Sequence, residues 1–177
     1  MSRNTEIEMK LLFSSKEKIV SLLGSSMEFQ GKKSIRDVYY TEKGKGISND
    51  KHIFRLRRED NKEAELTYKG ASLDNEGIWH REELNVGIKD GEVMEKILGI
   101  LGLERFSEYT SKREYWKFGN ANIVFINFFF PAELEFMEIE ASSEEQIKEI
   151  VEILGNEVSK AGEEIFEVFD RKRKNSN

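Results

Sequence analysis

Residues 6–10 read Glu6-Ile7-Glu8-Met9-Lys10, with charged and apolar side chains alternating without a break. In an extended strand, successive side chains point to opposite faces. Glu6, Glu8 and Lys10 therefore share one face, and Ile7, Met9 and Leu11 share the other. Two carboxylates about 7 Å apart along that face can reach a hard cation, which prefers oxygen ligands. A lysine one pleat further is placed to meet an anion. Taken alone, the pattern equally describes an amphipathic strand whose charged side faces water, so the rest of the chain has to choose.

The same alternation returns downstream. Asp37 and Tyr39 share a face of the strand predicted over 35–40. Arg55 and Arg57 do so over 53–58, Glu65, Thr67 and Lys69 over 65–69, and Arg81, Glu83 and Asn85 over 80–86. Arg113 belongs to a strand over 108–118, and Glu138 and Glu140 to one over 134–141. Between the last two, Ile123 to Phe130 is strongly apolar and β-forming, and Pro131 interrupts it. Helix signals punctuate these runs. Ser14 with Glu17 and Ser142 with Glu145 read as capping boxes, and Asp90 as a third cap. The third helix is expected to run past Leu154 and Val158 and end at Gly162. Residues 25–34, 44–50 and 70–77 read as loops. Ile165 to Phe169 suggest a short docked helix. Strand runs broken by helices point to an antiparallel α+β fold in one domain over 1–170, followed by a basic tail over 171–177.

Composition narrows the chemistry. The 177 residues are 38% hydrophobic and 35% charged, which is the profile of a globular chain with a real core. A net charge of -6 argues against a nucleic-acid partner. There is no cysteine, so disulfides, thiolate metal sites and cysteine nucleophiles are excluded, and two histidines supply zinc chemistry poorly. No apolar run reaches the ~20 residues of a membrane span, and the start lacks a signal-type segment, so a cytoplasmic protein is expected. His52, His80, Trp79 and Trp116 take structural readings. Phe128-Phe129-Phe130 reads as core or interface, an exposed part of which would support a homodimer.

Two architectures accommodate the charged faces. One is an open sheet with a wet polar side. The other is a closed antiparallel barrel with a polar lumen and helices packed outside, which removes exposed edges and gathers charges from distant strands. Charges gathered inside must be paired or ligated. Arginines and lysines there would suit a polyphosphate, and the glutamates Mg²⁺ or Mn²⁺.

The set of motifs resembles the CYTH superfamily, the triphosphate tunnel metalloenzymes. Glu6-x-Glu8-x-Lys10 matches its N-terminal signature. Asp37-Val38-Tyr39-Tyr40, Arg55-x-Arg57, Lys69, Arg81-x-Glu83, Arg113 and Glu138-Ile139-Glu140 follow in the family's order. The resemblance implies an eight-stranded tunnel holding a triphosphate. It places Glu6, Glu8, Glu138 and Glu140 on a divalent metal, Mg²⁺ or Mn²⁺, with Glu83 supporting the metal or orienting an arginine. Arg55, Arg57, Lys69, Arg81 and Arg113 fall on phosphate oxygens. Lys10 falls on phosphate or on the nucleophile, with Tyr39 assisting. Two positions depart from the pattern: Ser111 stands where a lysine is usual, and Asn127 is the nearest counterpart of a usual metal-binding aspartate. The implied activities are hydrolysis of inorganic triphosphate, thiamine triphosphate or a nucleoside triphosphate, or cyclisation of ATP to cyclic AMP and pyrophosphate. With those two departures, a non-catalytic triphosphate-binding module is the third reading.

Overall fold

A sheet with one charged and one apolar face has two incompatible sides to satisfy, and this chain does so by closing the sheet on itself. The structure is a computed structural model that describes residues 5–45, 52–60 and 62–161. Its strands are β1 (Thr5–Phe13), β2 (Met27–Glu42), β3 (Ile53–Glu59), β4 (Ala64–Asn75), β5 (Ile78–Ile88), β6 (Leu103–Phe118), β7 (Ala121–Phe130), β8 (Leu134–Glu140) and β9 (Val158–Lys160). Three helices interrupt them: α1 (Lys16–Leu23), α2 (Gly91–Ile100) and α3 (Glu144–Leu154). The strands run in the order β5-β4-β3-β2-β6-β7-β8-β1-β9, and every pairing is antiparallel.

β1 closes the ring. One edge pairs with β8, setting Glu8 opposite Glu140 and Lys10 opposite Glu138. The first half of its other edge pairs with β5, setting Glu6 opposite Arg81 and Glu8 opposite Trp79. Eight strands thus form a closed barrel. β9 takes the remaining half of that edge, with Leu11 opposite Lys160.

The apolar faces point outward under the helices. Met9, Leu11, Ile123, Phe125, Met137 and Ile139 form one core with Ile19 and Leu23 of α1 and Ile147, Ile150 and Leu154 of α3. A second core, under α2, joins Leu98 to Val38, Tyr40, Leu56 and Ala64. A third lies inside the barrel. β7 turns Val124, Ile126 and Phe128 inward, where they pack with Phe136 of β8 and with Tyr109 and Tyr115 of β6. The lumen wall along β7 is therefore hydrocarbon and aromatic. Of the phenylalanine run, Phe128 belongs to this interior, while Phe129 and Phe130 are exposed.

Several boundaries differ from the sequence reading. Three strands are longer than predicted because bulges absorb polar or glycine-bearing stretches without ending the pairing. β2 begins at Met27, inside the expected loop, and its pairing with β6 shifts between Phe29 and Gly31, where Gly31 adopts φ 131°. β4 runs on to Asn75 through a shift between Lys69 and Ser72. β6 starts at Leu103. Both predicted capping boxes are off by one residue. Ser15 caps α1 by accepting from the Lys18 amide, while Ser14 donates to Glu157 instead. Ser143 caps α3 by accepting from the Gln146 amide at 3.3 Å. α3 ends at Leu154 before Gly155, and Val158 lies in β9. The predicted helix end at Gly162, the segment around Ile165–Phe169, the basic tail and part of the 44–50 loop lie outside the described residues.

Candidate functional site: a barrel lumen lined with ion pairs

Period-two alternation decides which side chains share the lumen, and strand register decides which of them meet. From β1, Glu8 and Lys10 are buried. The Lys10 ammonium lies 2.6 Å from Glu8 Oε1 and 3.0 Å from Glu138 Oε1 of β8. It also sits 4.6 Å from the centroid of Trp79, which faces the lumen from β5 rather than packing beneath the barrel wall. Across the β1–β5 seam, Lys69 Nζ bridges Glu6 at 2.8 Å and Glu83 at 2.5 Å. Two lysines thus each join a pair of carboxylates that come from different strands.

On the far side the arrangement inverts, and one carboxylate gathers arginines. Asp37 is 1% exposed. It accepts from both Nε and Nη2 of Arg57 at 2.8 Å, and from Arg113 Nη2 at 3.1 Å. Arg55 Nε lies 4.0 Å from it. Arg55 donates from Nη2 to Thr67 Oγ1 at 3.0 Å, and Thr67 in turn donates to Asn85 Oδ1 at 2.7 Å. Arg113 Nε donates to Ser111 Oγ at 3.3 Å, so the residue at the usual lysine position serves as a brace for its neighbour.

These contacts set the charge states. Burial opposes the ionised forms, but Lys10 and Arg113 together hold the Glu138 carboxyl down to about 2. For Glu83, burial is likewise outweighed by Lys69, by the hydrogen bond from Glu6 and by Arg55, leaving its carboxyl at about 2. Glu6 goes the other way. Burial, followed by the Glu8 charge, pushes it up to about 8, so Glu6 and Glu83 share one proton between them. Asp37 stays ionised far below the ordinary range because the arginines outweigh its burial. Lys10 is buried, yet Glu138 and Glu8 raise its pKa above the usual lysine value. An ammonium held so firmly is suited to contacting an anion rather than to taking a proton from a nucleophile.

The remaining expected residues sort as follows. Tyr39 is half-buried opposite Arg55 in the β2–β3 register, with its ring 5.5 Å from Tyr109. Arg81 lies inward beside Glu6, and its buried Nε has no hydrogen-bond partner among the described residues. Glu140 is exposed at the rim and accepts from Asn122 at 3.1 Å. Asn127 is not part of the lumen. It faces outward, lining a surface groove with Lys112, Phe129 and Glu135, while its inward neighbours are Ile126 and Phe128. β7 therefore supplies no carboxylate to the interior among the described residues. Among the lumen residues to which the sequence gives no role, Asp37 gathers the most cations. An aspartate inside a strand, where that residue is depleted, was the available signal.

Glu6, Glu8, Glu138 and Glu140 offer only oxygen donors from adjoining strands, and that donor chemistry fits a hard divalent cation such as Mg²⁺ or Mn²⁺. No three acidic or histidine side chains form a ready-made cluster among the described residues, because Lys10 and Lys69 lie between the carboxylates.

A CYTH domain family model matches residues 4–171. The chain belongs to the CYTH family. It is 31% identical over 113 residues to MJ0240 of Methanocaldococcus jannaschii, provisionally named an adenylate cyclase, and spans 63% of that protein's length. Among solved structures, it resembles HpAC1 from Hippeastrum, a provisionally named adenylyl cyclase described as having a dominant triphosphatase activity. The TM-score is 0.72 at 16% identity, covering 94% of this chain and 95% of that one. PH1012 of Pyrococcus horikoshii superposes with a TM-score of 0.70 at 21% identity, covering 87% and 94%. At these identities the solved structures establish the shared fold. Among the described residues, no helix of this CYTH domain is long and apolar enough to cross a membrane.

Proposed function

We propose that this CYTH domain is a divalent-metal-dependent enzyme that draws a triphosphate into the barrel and hydrolyses it. The observation that carries this reading is the convergence of Arg55, Arg57, Lys69 and Arg113, from three strands, into one buried lumen that also holds Glu6, Glu8 and Glu138. Buried cations must be paired, and a polyphosphate could take the place of the carboxylates that pair them here. In this scheme the guanidinium groups and Lys69 fix the phosphate chain, Lys10 meets the oxygens nearest β1 and β8, and the barrel wall keeps bulk water away. A metal at Glu6, Glu8, Glu138 and Glu140 would neutralise charge on the phosphate oxygens when bound. Water adds to the terminal phosphorus and gives up a proton to solvent, the bond to the bridging oxygen breaks, and orthophosphate leaves while that oxygen stays with the diphosphate product. The dominant triphosphatase activity described for HpAC1 supports hydrolysis.

The name carried by MJ0240 favours a second reading, in which a ribose hydroxyl attacks the α-phosphorus of ATP. Phosphorus-31 NMR separates the two. Inorganic triphosphate and ATP are each incubated with the protein, with and without Mn²⁺. Orthophosphate is the expected product, and Glu8→Gln is expected to abolish its metal-dependent formation. Pyrophosphate with cyclic AMP would establish the cyclase instead. Tight binding without turnover would leave a binding module, in keeping with the carboxylate-free β7.

A further inference from the structure

Three of the lumen's arginines lie around a single carboxylate. Asp37 projects from the middle of β2, and its two strand neighbours β3 and β6 aim guanidinium groups at it from both sides. Arg57 meets it edge-on, with both Nε and Nη2 at 2.8 Å, which fixes the plane of that guanidinium and leaves Nη1 outside the pair. Arg113 is held at two points, Nη2 by Asp37 and Nε by Ser111, so its Nη1 is directed toward Glu138 at 3.9 Å. Arg55 is held by Thr67, with Glu65 and Glu83 each 3.8 Å from its Nη2 and Asp37 4.0 Å from its Nε. Without Asp37, three like charges would repel more strongly in a poorly solvated space, Arg57 would lose the two hydrogen bonds that fix it, and Arg113 would lose one of its two.

We propose that Asp37 is the positioning residue of the phosphate site: it sets the planes and spacing of Arg57 and Arg113, and balances the charge of Arg55 close by, before any anion arrives. This rests on the reading of the lumen as a triphosphate site and assigns it a residue that never touches substrate. Two other roles are distinguishable. If Asp37 only balanced charge, any carboxylate at that place would serve. If it competed with phosphate for the arginines, removing it would tighten anion binding.

Asp37→Glu keeps the charge and moves the carboxylate by one methylene, so it separates geometry from charge. Binding of inorganic tripolyphosphate to the full chain is measured by calorimetry in EDTA, together with ¹⁵N-detected arginine Nε–H signals of the free protein. Asp37→Glu is expected to weaken tripolyphosphate binding tenfold or more and to broaden or move the Arg57 and Arg113 Nε–H signals. Asp37→Asn is expected to do at least as much where it folds. Unchanged or tighter binding in Asp37→Glu, or undisturbed guanidinium signals, would overturn the assignment. If the wild-type protein takes no tripolyphosphate, the functional reading fails separately, and the guanidinium signals alone decide whether Asp37 holds the arginines.

Discussion

Glu6 is the side chain in the lumen whose protonation most directly limits the fold. Its carboxyl holds a proton up to about pH 8 in the folded chain, against an ordinary value of 4.5. Below pH 4.5 the folded and unfolded forms are both protonated there, and Glu6 is neutral in its effect. As pH rises from 4.5 toward 8, the unfolded chain releases the proton and the folded chain keeps it, so the native state loses stability; above 8 the loss is complete. Glu83 and Glu138 act oppositely, stabilising the fold above 4.5 and losing that contribution as pH falls toward about 2. In EDTA, urea unfolding at pH 5 and pH 8 should therefore show the wild-type protein weakening by up to a few kcal/mol, and Glu6→Gln weakening distinctly less. Equal slopes for the two proteins would refute the shared-proton assignment. The charged side chains themselves were legible from sequence, since period two gives the face of every one. Which lysine would sit between which glutamates was not, because that depends on register between strands far apart in the chain.

At the scale of elements, the apolar stripes and strand alternation placed all three helices and the eight barrel strands, while their ends were harder to read. Adjacent serines at 14–15 and 142–143 offer two cap positions one residue apart, and local sequence does not distinguish them. The choice is made by tertiary contacts: Ser14 is drawn to Glu157 and so leaves the cap to Ser15. Ser143→Ala should cost about 1 kcal/mol in denaturant unfolding, and Ser142→Ala only a few tenths. Bulges explain the missed strand lengths. Glycine at 31 looks like a loop signal, but its φ of 131° lets β2 skip a residue and continue beside β6. Asn127 was misplaced for a related reason. A one-residue uncertainty along a strand exchanges inside for outside, and here it put a polar residue on the outer wall and left Ile126 within.

For the molecule as a whole, the barrel wall separates chemistry from cohesion. On the proposed reading the ionic lumen contributes recognition, while the outer cores beneath α1, α2 and α3 contribute most of the buried hydrocarbon. Ile147 is fully buried between α3 and the barrel and touches none of the lumen charges. Ile147→Ala should lower unfolding stability by about 2–5 kcal/mol while leaving triphosphate turnover at moderate temperature within a factor of two of wild type. A loss of turnover that tracked the loss of stability would show that the two layers are coupled. Closure itself was an inference from charge, since an open sheet fits the same alternation. β1 pairing at once with β5 and β8 decided it.

That double pairing also bears on how the protein is made. β1 leaves the ribosome before the other strands of the barrel, yet its partners on β8 and β9 are among the last described segments to be synthesised. Until they emerge, the edge of β1 that faces β8 has no partner. Ring closure is thus a late event that joins strands far apart in the sequence, and long-range β pairing of this kind is slow and open to misassembly. A nascent chain cut short before Leu134 should hold the β2–β6 meander while its opening strand stays exposed to protease.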